Sequence, residues 1–307
     1  MKVGICDPIA EEGVAYLREN GVEVVDLTDI PKDELVKHVG ELDAIIVRSA
    51  TKVRKEIIDA ATNLKVIGRA GIGLDNIDVE YAQQKGIKVL NTPGATSISV
   101  AELTIGLMLA VMRKIAYADR ETRKGNWPKK KCKGVEMYGK TLGVIGLGRI
   151  GREVVKRARA FGMKVIYYDV YRPSEEVEKE LGVEFKPLEE VLSTADVITL
   201  HLPLTPETKH LINREAIEKM KDGAIIINAA RGGIVDEDAL YEALKSGKIY
   251  GAALDVYENE PLKESRLFEL DNVVLTPHIG AQAKEGQARA GVEIARKVYE
   301  ALSGMGT

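Results

Sequence analysis

Thr141-Leu142-Gly143-Val144-Ile145-Gly146-Leu147-Gly148-Arg149-Ile150-Gly151 begins as a short apolar strand and ends as G-x-G-x-x-G. A glycine spacing alone recurs by chance, but here a strand runs straight into it and a helical pattern, REVVKRARAF, runs straight out. In that setting Gly146 permits a tight turn, Gly148 lets a diphosphate approach the backbone, and Gly151 lets helix and strand pack closely. The diphosphate then meets free N–H groups at a helix N-terminus. The next strand pattern ends in Asp169, 18 residues past Gly151. A carboxylate at that place accepts hydrogen bonds from adenosine ribose hydroxyls and repels a 2′-phosphate, which favours NAD over NADP. Arg172 lies close enough to blur that preference.

Outward from this stretch the chain alternates short Val- and Ile-rich strands with amphipathic helices. Before it, strands are predicted at 2–7, 22–27, 43–48, 65–68 and 88–91, with helices near 9–20, 31–40, 53–61 and 78–85. After it, strands are predicted at 141–146, 164–169, 183–186, 196–201, 224–229, 250–255 and 273–276, with a closing helix from about Ala283 to Leu302. Strands apolar on both faces are those of parallel sheets covered by helices. The length, 307 residues, suits two domains at roughly 150 residues each. The reading is α/β, with two doubly wound parallel-sheet domains whose clefts lie at the carboxyl ends of the strands.

One long helix is predicted from about Ser99 to Lys124, capped by Ser97 or Ser99, with Glu102 at capping-box spacing from Ser99. A loop over 125–139 follows, carrying Trp127 and the basic run Lys129-Lys130-Lys131-Cys132-Lys133, which reads best as a solvated surface. Trp127 suits either a subunit interface or the chain's own core. Forty-four basic against 47 acidic residues, with aromatics at 5%, argue against a nucleic-acid-binding surface. Two cysteines, Cys6 and Cys132, offer no disulfide framework or metal-ligand spacing, and no metal is expected. They fit a reducing cytoplasm. The longest apolar stretch, Leu103–Met112, falls far short of the ~20 residues of a membrane span.

Three further segments, AARGGIVD at 229–236, LDVYENEP at 254–261 and TPHIGA at 276–281, stand in order behind HLPLTPET at 201–208. With the glycine motif, they resemble the D-isomer-specific 2-hydroxyacid dehydrogenase family. VRSATKV at 47–53, GRAGIGLDNID at 68–78, NTP at 91–93 and AELT at 101–104 extend the likeness over nearly the whole chain, toward members acting on a phosphorylated 2-hydroxy acid. The resemblance implies a Rossmann NAD-binding domain, 97–281, inserted into a flavodoxin-like substrate domain, 1–96 plus 282–307. It implies His278 as general base and acid, Glu260 orienting its ring, and Arg231 gripping the substrate carboxylate and polarising the reacting oxygen. These residue types suit the chemistry. Removing a hydroxyl proton while hydride leaves the same carbon asks for a base titrating near neutrality, and a guanidinium fork matches a carboxylate. Glu258 rivals Glu260 by spacing, and the family pattern, with the acid directly before Pro261, selects Glu260.

By the same resemblance, the cofactor meets Ile72, Gly146, Gly148, Arg149, Ile150, Gly151, Asp169, Leu202, Pro203, Ala229, Ala230, Arg231, Asp255, His278, Gly280 and Ala281. The substrate meets Arg48, Ser49, Gly71 and Gly73 together with Arg231 and His278. Arg48-Ser49 would take the phosphate, and backbone N–H groups of 70–73 the carboxylate. Two departures touch substrate choice. Gly94-Ala95-Thr96-Ser97 stands where relatives often carry Asn, and Gly280-Ala281-Gln282-Ala283 where they often read GAST. A homodimer or dimer of dimers is implied, joined through the cofactor domain, with domain closure about hinges near 92–99 and 277–284. The sequence stops after the closing helix, so feedback through an appended regulatory domain is not expected. A reductase of unphosphorylated 2-keto acids, or an NAD-sensing corepressor, are the other readings the resemblance leaves open.

Overall fold

In the computed structural model, which describes residues 1–304, the chain divides into two compact units. One holds residues 1–97 and the chain from 281 onward, and the other holds Ile98–Gly280. Residues 305–307 of the predicted 282–307 segment lie outside the described residues.

In the first unit, β1 (Lys2–Ile5), β2 (Glu23–Asp26), β3 (Ala44–Val47), β4 (Val66–Arg69) and β5 (Lys88–Asn91) form a parallel sheet in the order β2-β1-β3-β4-β5. This is the flavodoxin-like order. Every residue of β3 is buried, as its AIIV sequence dictates for a central strand covered on both faces. Helices α1 (Glu11–Glu19), α2 (Lys55–Ala60) and α3 (Val79–Gln84) connect the strands. The helix predicted over 31–40 is only a 3₁₀ turn at Leu35–Lys37. Leu35 and Val39 do bury themselves, but Lys32 is tied elsewhere, to the Cys6 carbonyl and to Asp7 at 3.0 Å. The segment therefore closes with three-residue turns, Glu34 to Pro31 and Lys37 to Glu34.

The predicted helix over 99–124 is two helices, α4 (Ser97–Met112) and α5 (Ile115–Arg123). Lys114 between them adopts φ 55°. The carbonyl of Met112 turns out of the helix and accepts the Val135 N–H at 2.9 Å. Gly134 allows that approach, since a Cβ there would lie 2.3 Å from the same oxygen. Loop 125–139 thus closes α4 from a distance no local pattern reveals. Trp127 is 82% exposed, so it does not belong to the chain's own core.

The second unit continues with β6 (Thr141–Ile145), α6 (Arg149–Ala160), β7 (Lys164–Tyr168), α7 (Glu175–Leu181), β8 (Glu184–Phe185), α8 (Leu188–Thr194) and β9 (Val197–Leu200). After these come α9 (Arg214–Lys219), β10 (Ala224–Asn228), α10 (Glu237–Ser246), β11 (Ile249–Leu254) and β12 (Val273–Leu275). All seven strands are parallel, in the order β12-β11-β10-β9-β6-β7-β8. Counted from β6, this is the Rossmann order with a seventh strand added. The order reverses between β6 and β9, and the glycine motif leaves β6 at that reversal, where such sheets bind ligands.

The last helix, α11 (Lys284–Ser303), belongs to the first unit. Its buried stripe, Ala290, Gly291, Ile294, Ala295 and Val298, has helical spacing and lies on β4 and α1. Gly68 makes room for it on the sheet, where a Cβ would sit 2.6 Å from Val298. A Cβ on Gly13 of α1 would lie 2.5 Å from the Gly291 carbonyl oxygen, so the two helices cross backbone to backbone.

Candidate active site

The three motif glycines meet three different demands. Gly146 has φ 99°, and a Cβ there would strike the His201 carbonyl oxygen at 2.4 Å. A Cβ on Gly151 would strike the Gly146 carbonyl oxygen at 2.3 Å, so α6 can start against β6 only with glycine there. Gly148 faces open space. The first helical bond runs from Arg152 N–H to Gly148 O at 3.0 Å, which leaves the amides of Arg149, Ile150 and Gly151 ahead of the ladder. A bare glycine beside a helix N-terminus fits a dinucleotide diphosphate.

Asp169 follows β7 and stitches this loop to it. One carboxylate oxygen accepts the Leu147 N–H at 2.6 Å and the other the Tyr171 N–H at 3.0 Å. A carboxylate has about four lone-pair positions, so capacity for ribose hydroxyls remains. Arg172 points elsewhere. It pairs with both oxygens of Glu178, at 2.8 and 3.0 Å, and lies over the Phe185 ring. That pairing, with a hydrogen bond from the Tyr167 hydroxyl, holds the Glu178 carboxyl down at about 2. Next to the loop, His201 has its Nε2 3.0 Å from Thr199 Oγ1 and its Nδ1 sealed from solvent without a hydrogen-bond partner. Desolvation lowers its pKa to about 4, so the ring is neutral. Leu202 packs against the core and Pro203 is exposed, its carbonyl taken by the Thr208 hydroxyl at 2.7 Å.

At the carboxyl end of β10, the buried Asn228 side chain holds the Ala230-Arg231 turn. It accepts the Ala230 N–H at 3.1 Å and donates to the Arg231 carbonyl at 2.9 Å. Arg231 Nη1 donates to the Ala230 carbonyl at 2.7 Å. Gly232 lies directly on the next strand's loop, since a Cβ there would fall 1.7 Å from the Tyr257 carbonyl oxygen. Asp236 then caps α10, accepting the Ala239 N–H at 3.0 Å. That cap was visible in principle as an Asp ahead of the amphipathic EDALYEAL, and the sequence reading passed over it.

His278 Nδ1 lies 2.7 Å from Glu260 Oε2, and Glu260 Oε1 accepts the Tyr257 N–H at 3.1 Å. Glu258, the rival by spacing, has a different histidine, with Oε1 3.1 Å from His210 Nε2. His278 adopts φ 53°, a conformation β-carbon residues visit rarely. Asp255 explains how it is held. This carboxylate is 1% exposed, and it accepts the Thr276 hydroxyl (2.6 Å), the Ile279 N–H (2.8 Å) and the Gly280 N–H (2.8 Å). Asp255 thereby anchors the turn presenting the imidazole. Ala229 is buried, Gly280 is buried against Val100, and Ala281 is half-buried.

In the first unit, β3 and β4 are register neighbours, Val47 beside Arg69, so the Arg48-Ser49 and Ala70–Gly73 loops emerge side by side. Buried Asp7 fixes the first, accepting the Arg48 N–H (2.6 Å) and the Thr51 N–H and hydroxyl (3.1 and 2.7 Å). Asn76 donates to the carbonyls of Arg48 and Thr51, both at 2.7 Å. Neither brace was anticipated. The second loop is held by Asn91, donating to Ile72 O at 2.7 Å, and by Thr92 N–H, donating to Gly71 O at 3.0 Å. Gly71 has φ 151° and packs on the Arg69 side chain. Ile72 and Gly73 are half-buried and Ser49 is exposed. Among the described residues, no group of three His, Cys, Asp or Glu side chains is arranged to hold a metal, and no helix is long and apolar enough to cross a membrane.

Residues 105–280 match the family model for the NAD binding domain of D-isomer specific 2-hydroxyacid dehydrogenases. The chain belongs to the D-isomer specific 2-hydroxyacid dehydrogenase family. A D-3-phosphoglycerate dehydrogenase of Methanocaldococcus jannaschii is 54% identical over 305 residues, 99% of this chain and 58% of that protein. The chain thus spans little more than half the length of that relative. A hydroxypyruvate reductase of Thermotoga maritima is 53% identical over 98% of both chains. Among solved structures, the D-lactate dehydrogenase of Aquifex aeolicus complexed with NAD and lactic acid superposes with a TM-score of 0.83, at 34% identity over 99% of this chain and 96% of that one. The dehydrogenase family's cofactor, NAD, is the one the glycine loop and Asp169 fit.

Proposed function

We propose that this chain interconverts 3-phospho-D-glycerate and 3-phosphohydroxypyruvate with NAD, the first step of serine synthesis, in the cytoplasm. The observation that carries the chemistry is the 2.7 Å contact of His278 Nδ1 with Glu260. With Nδ1–H donated to that carboxylate, Nε2 keeps its lone pair for the substrate hydroxyl proton and returns it in reverse. Arg231 binds the substrate carboxylate and polarises the carbonyl oxygen as it forms. NAD, when bound, accepts the hydride. Gly146, Gly148, Arg149, Ile150 and Gly151 would hold its diphosphate, and Asp169 its ribose. Arg48 and Ser49 would take the substrate phosphate, and Gly71 and Gly73 would flank its carboxylate.

A hydroxypyruvate reductase reading is favoured by the 53% identity to a protein of that name. NADH consumption with 3-phosphohydroxypyruvate, hydroxypyruvate, glyoxylate and pyruvate at equal concentration separates the two. A strong preference for the phosphorylated keto acid, lost in R48A, supports the first. Equal turnover of unphosphorylated acids, indifferent to Arg48, supports the second. NADH binding with no turnover of any of them would defeat both. A homodimer is part of the proposal, since Ile115, Trp127 and Tyr138 leave apolar surface exposed along 115–138 (52, 82 and 78%).

A further inference from the structure

We propose that Glu237 is a positioning residue that acts through Glu260, by stapling the loop that carries Glu260 to the helix that follows Arg231. This rests on the reading of His278–Glu260 as the catalytic pair.

The staple is reciprocal. Glu237 Oε1 accepts the Glu258 N–H at 2.7 Å, and Glu258 Oε1 accepts the Glu237 N–H at 3.3 Å. Each loop's backbone donor is thus held by the other's carboxylate. Glu260 stands two residues beyond the point so fixed, and the same short segment is held at its start by Tyr257. The Tyr257 hydroxyl donates to the carbonyls of Leu254 and Thr276, at 3.0 and 2.8 Å, and its own carbonyl rests on Gly232. Segment 228–237 therefore touches segment 257–260 at two places, Gly232 and Glu237. Arg231 lies on the first segment and Glu260 on the second. Pairing of β10 with β11, continued by Asp255 N–H to the Asn228 carbonyl at 2.9 Å, sets the roots of both segments; beyond it these two contacts fix their ends, and the one at Glu237 is made by side chains.

The location is unfavourable for a carboxylate, which argues that it is kept for what it holds. Glu237 is half-buried, and desolvation, with the charges of Glu258, Asp238 and Glu260, raises its pKa against the opposing pull of the Glu258 N–H bond. His210, 3.1 Å from Glu258, is the one imidazole in contact with the staple among the described residues. An exposed glutamate on the first turn of a helix would serve the macrodipole equally well without facing three other acids.

Reach distinguishes this role from charge. E237Q keeps an oxygen at the Glu258 N–H and loses the charge, whereas E237D keeps the charge and falls short by one methylene. For E237A and E237D, kcat is expected to fall about ten- to a hundredfold, the cost of misplacing a reacting group by about 1 Å. The Kd for NADH, read by fluorescence, should stay within about threefold, and E237Q should recover most of kcat. A cycle with E260Q completes the test, because residues acting as one unit do not add. In the E260Q background E237A is expected to cost nothing more. Full kcat in E237D, a loss in E237Q as deep as in E237D, or losses that multiply in the double variant would overturn the proposal. Should E237A fail to fold, the Gln and Asp variants still decide it. If E260Q alone retains full kcat, the catalytic reading of Glu260 fails first, and the staple's role falls with it.

Discussion

Gly232→Ala adds one carbon at a glycine pressed directly against a neighbouring backbone. The new Cβ would lie 1.7 Å from the Tyr257 carbonyl oxygen, 2.2 Å from its carbon and 2.9 Å from its nitrogen. All three are backbone atoms, so no side chain can swing aside. An ordinary carbon–oxygen contact needs a little over 3 Å, so the two segments must part by roughly 1.5 Å, in a close-packed interior that resists such shifts. Overpacking of this kind costs about 1–3 kcal/mol, and a backbone collision belongs at the upper end. The displacement falls on the neighbours of Arg231 or on the three residues leading to Glu260. A misplacement of about 1 Å is worth around a hundredfold in rate, so kcat with 3-phosphohydroxypyruvate and NADH should fall at least that far. The urea midpoint should drop as well. Gly106 is the control, since a Cβ there meets nothing within 4 Å and the residue lies inside α4. G106A should match or exceed wild-type stability, by about 0.5–1 kcal/mol. A G232A protein with wild-type kcat and an unchanged urea midpoint would refute the argument that these two loops are fixed by direct contact.

Gly148 and Gly151 should fail in opposite ways. G148A is expected to keep the wild-type Tm and bind NADH at least ten times more weakly, because only the incoming diphosphate contests that space. G151A should lose stability outright, its Cβ having to displace the Gly146 carbonyl. His201, with its pKa lowered from 6.5 to about 4, prefers the neutral form when folded. Its contribution is complete above pH 6.5 and is lost as pH falls toward 4, on the order of 3 kcal/mol at about 1.4 kcal/mol per unit. H201Q should flatten the fall of urea-derived stability across that window, and an unchanged slope would show that other groups drive it. Burial pushes the Cys6 thiol up to about 12, so native protein should show one fast thiol toward a disulfide reagent, Cys132, and a second only on unfolding. Two fast thiols in the native state would contradict the burial of Cys6.

Strands such as Ala44–Val47 and Ala224–Asn228 were legible because a strand covered on both faces must be a continuous apolar run. The glycine loop was legible for a related reason, since its spacing states three steric demands at once. Segment 31–40 misled because Leu35 and Val39 satisfy a helical period, while the pull of Asp7 on Lys32 is a tertiary contact. The break at Lys114 depends on Gly134 and Val135, some twenty residues further on, which no window over the helix contains. At the site, the Glu260–His278 pairing that the resemblance implies is present at 2.7 Å, while the backbone braces around it had no local signal. Spacing could not divide Glu258 from Glu260, because the division depends on which histidine each meets, His210 or His278, and that is set by the neighbours of β11. The turn that Asp255 ties together left no local signal, because its donors lie some twenty residues further on. The Asp7 brace needs two strands, β1 and β3, that are adjacent in space and forty residues apart in sequence.

The crossing of Gly13 with Gly291 imposes an order on synthesis. The first sheet leaves the ribosome complete in its strands but lacking one of its covers, and 183 residues separate Ser97 from Ala281. At about 5–20 residues per second that is a wait of roughly ten to forty seconds, with the bare strip around Gly68 open to any apolar surface nearby. The second unit is continuous in sequence and has no such delay. Nascent chains should therefore recruit chaperones through the older half of the molecule, and a gene rearranged to encode α11 ahead of β1 should shed that dependence.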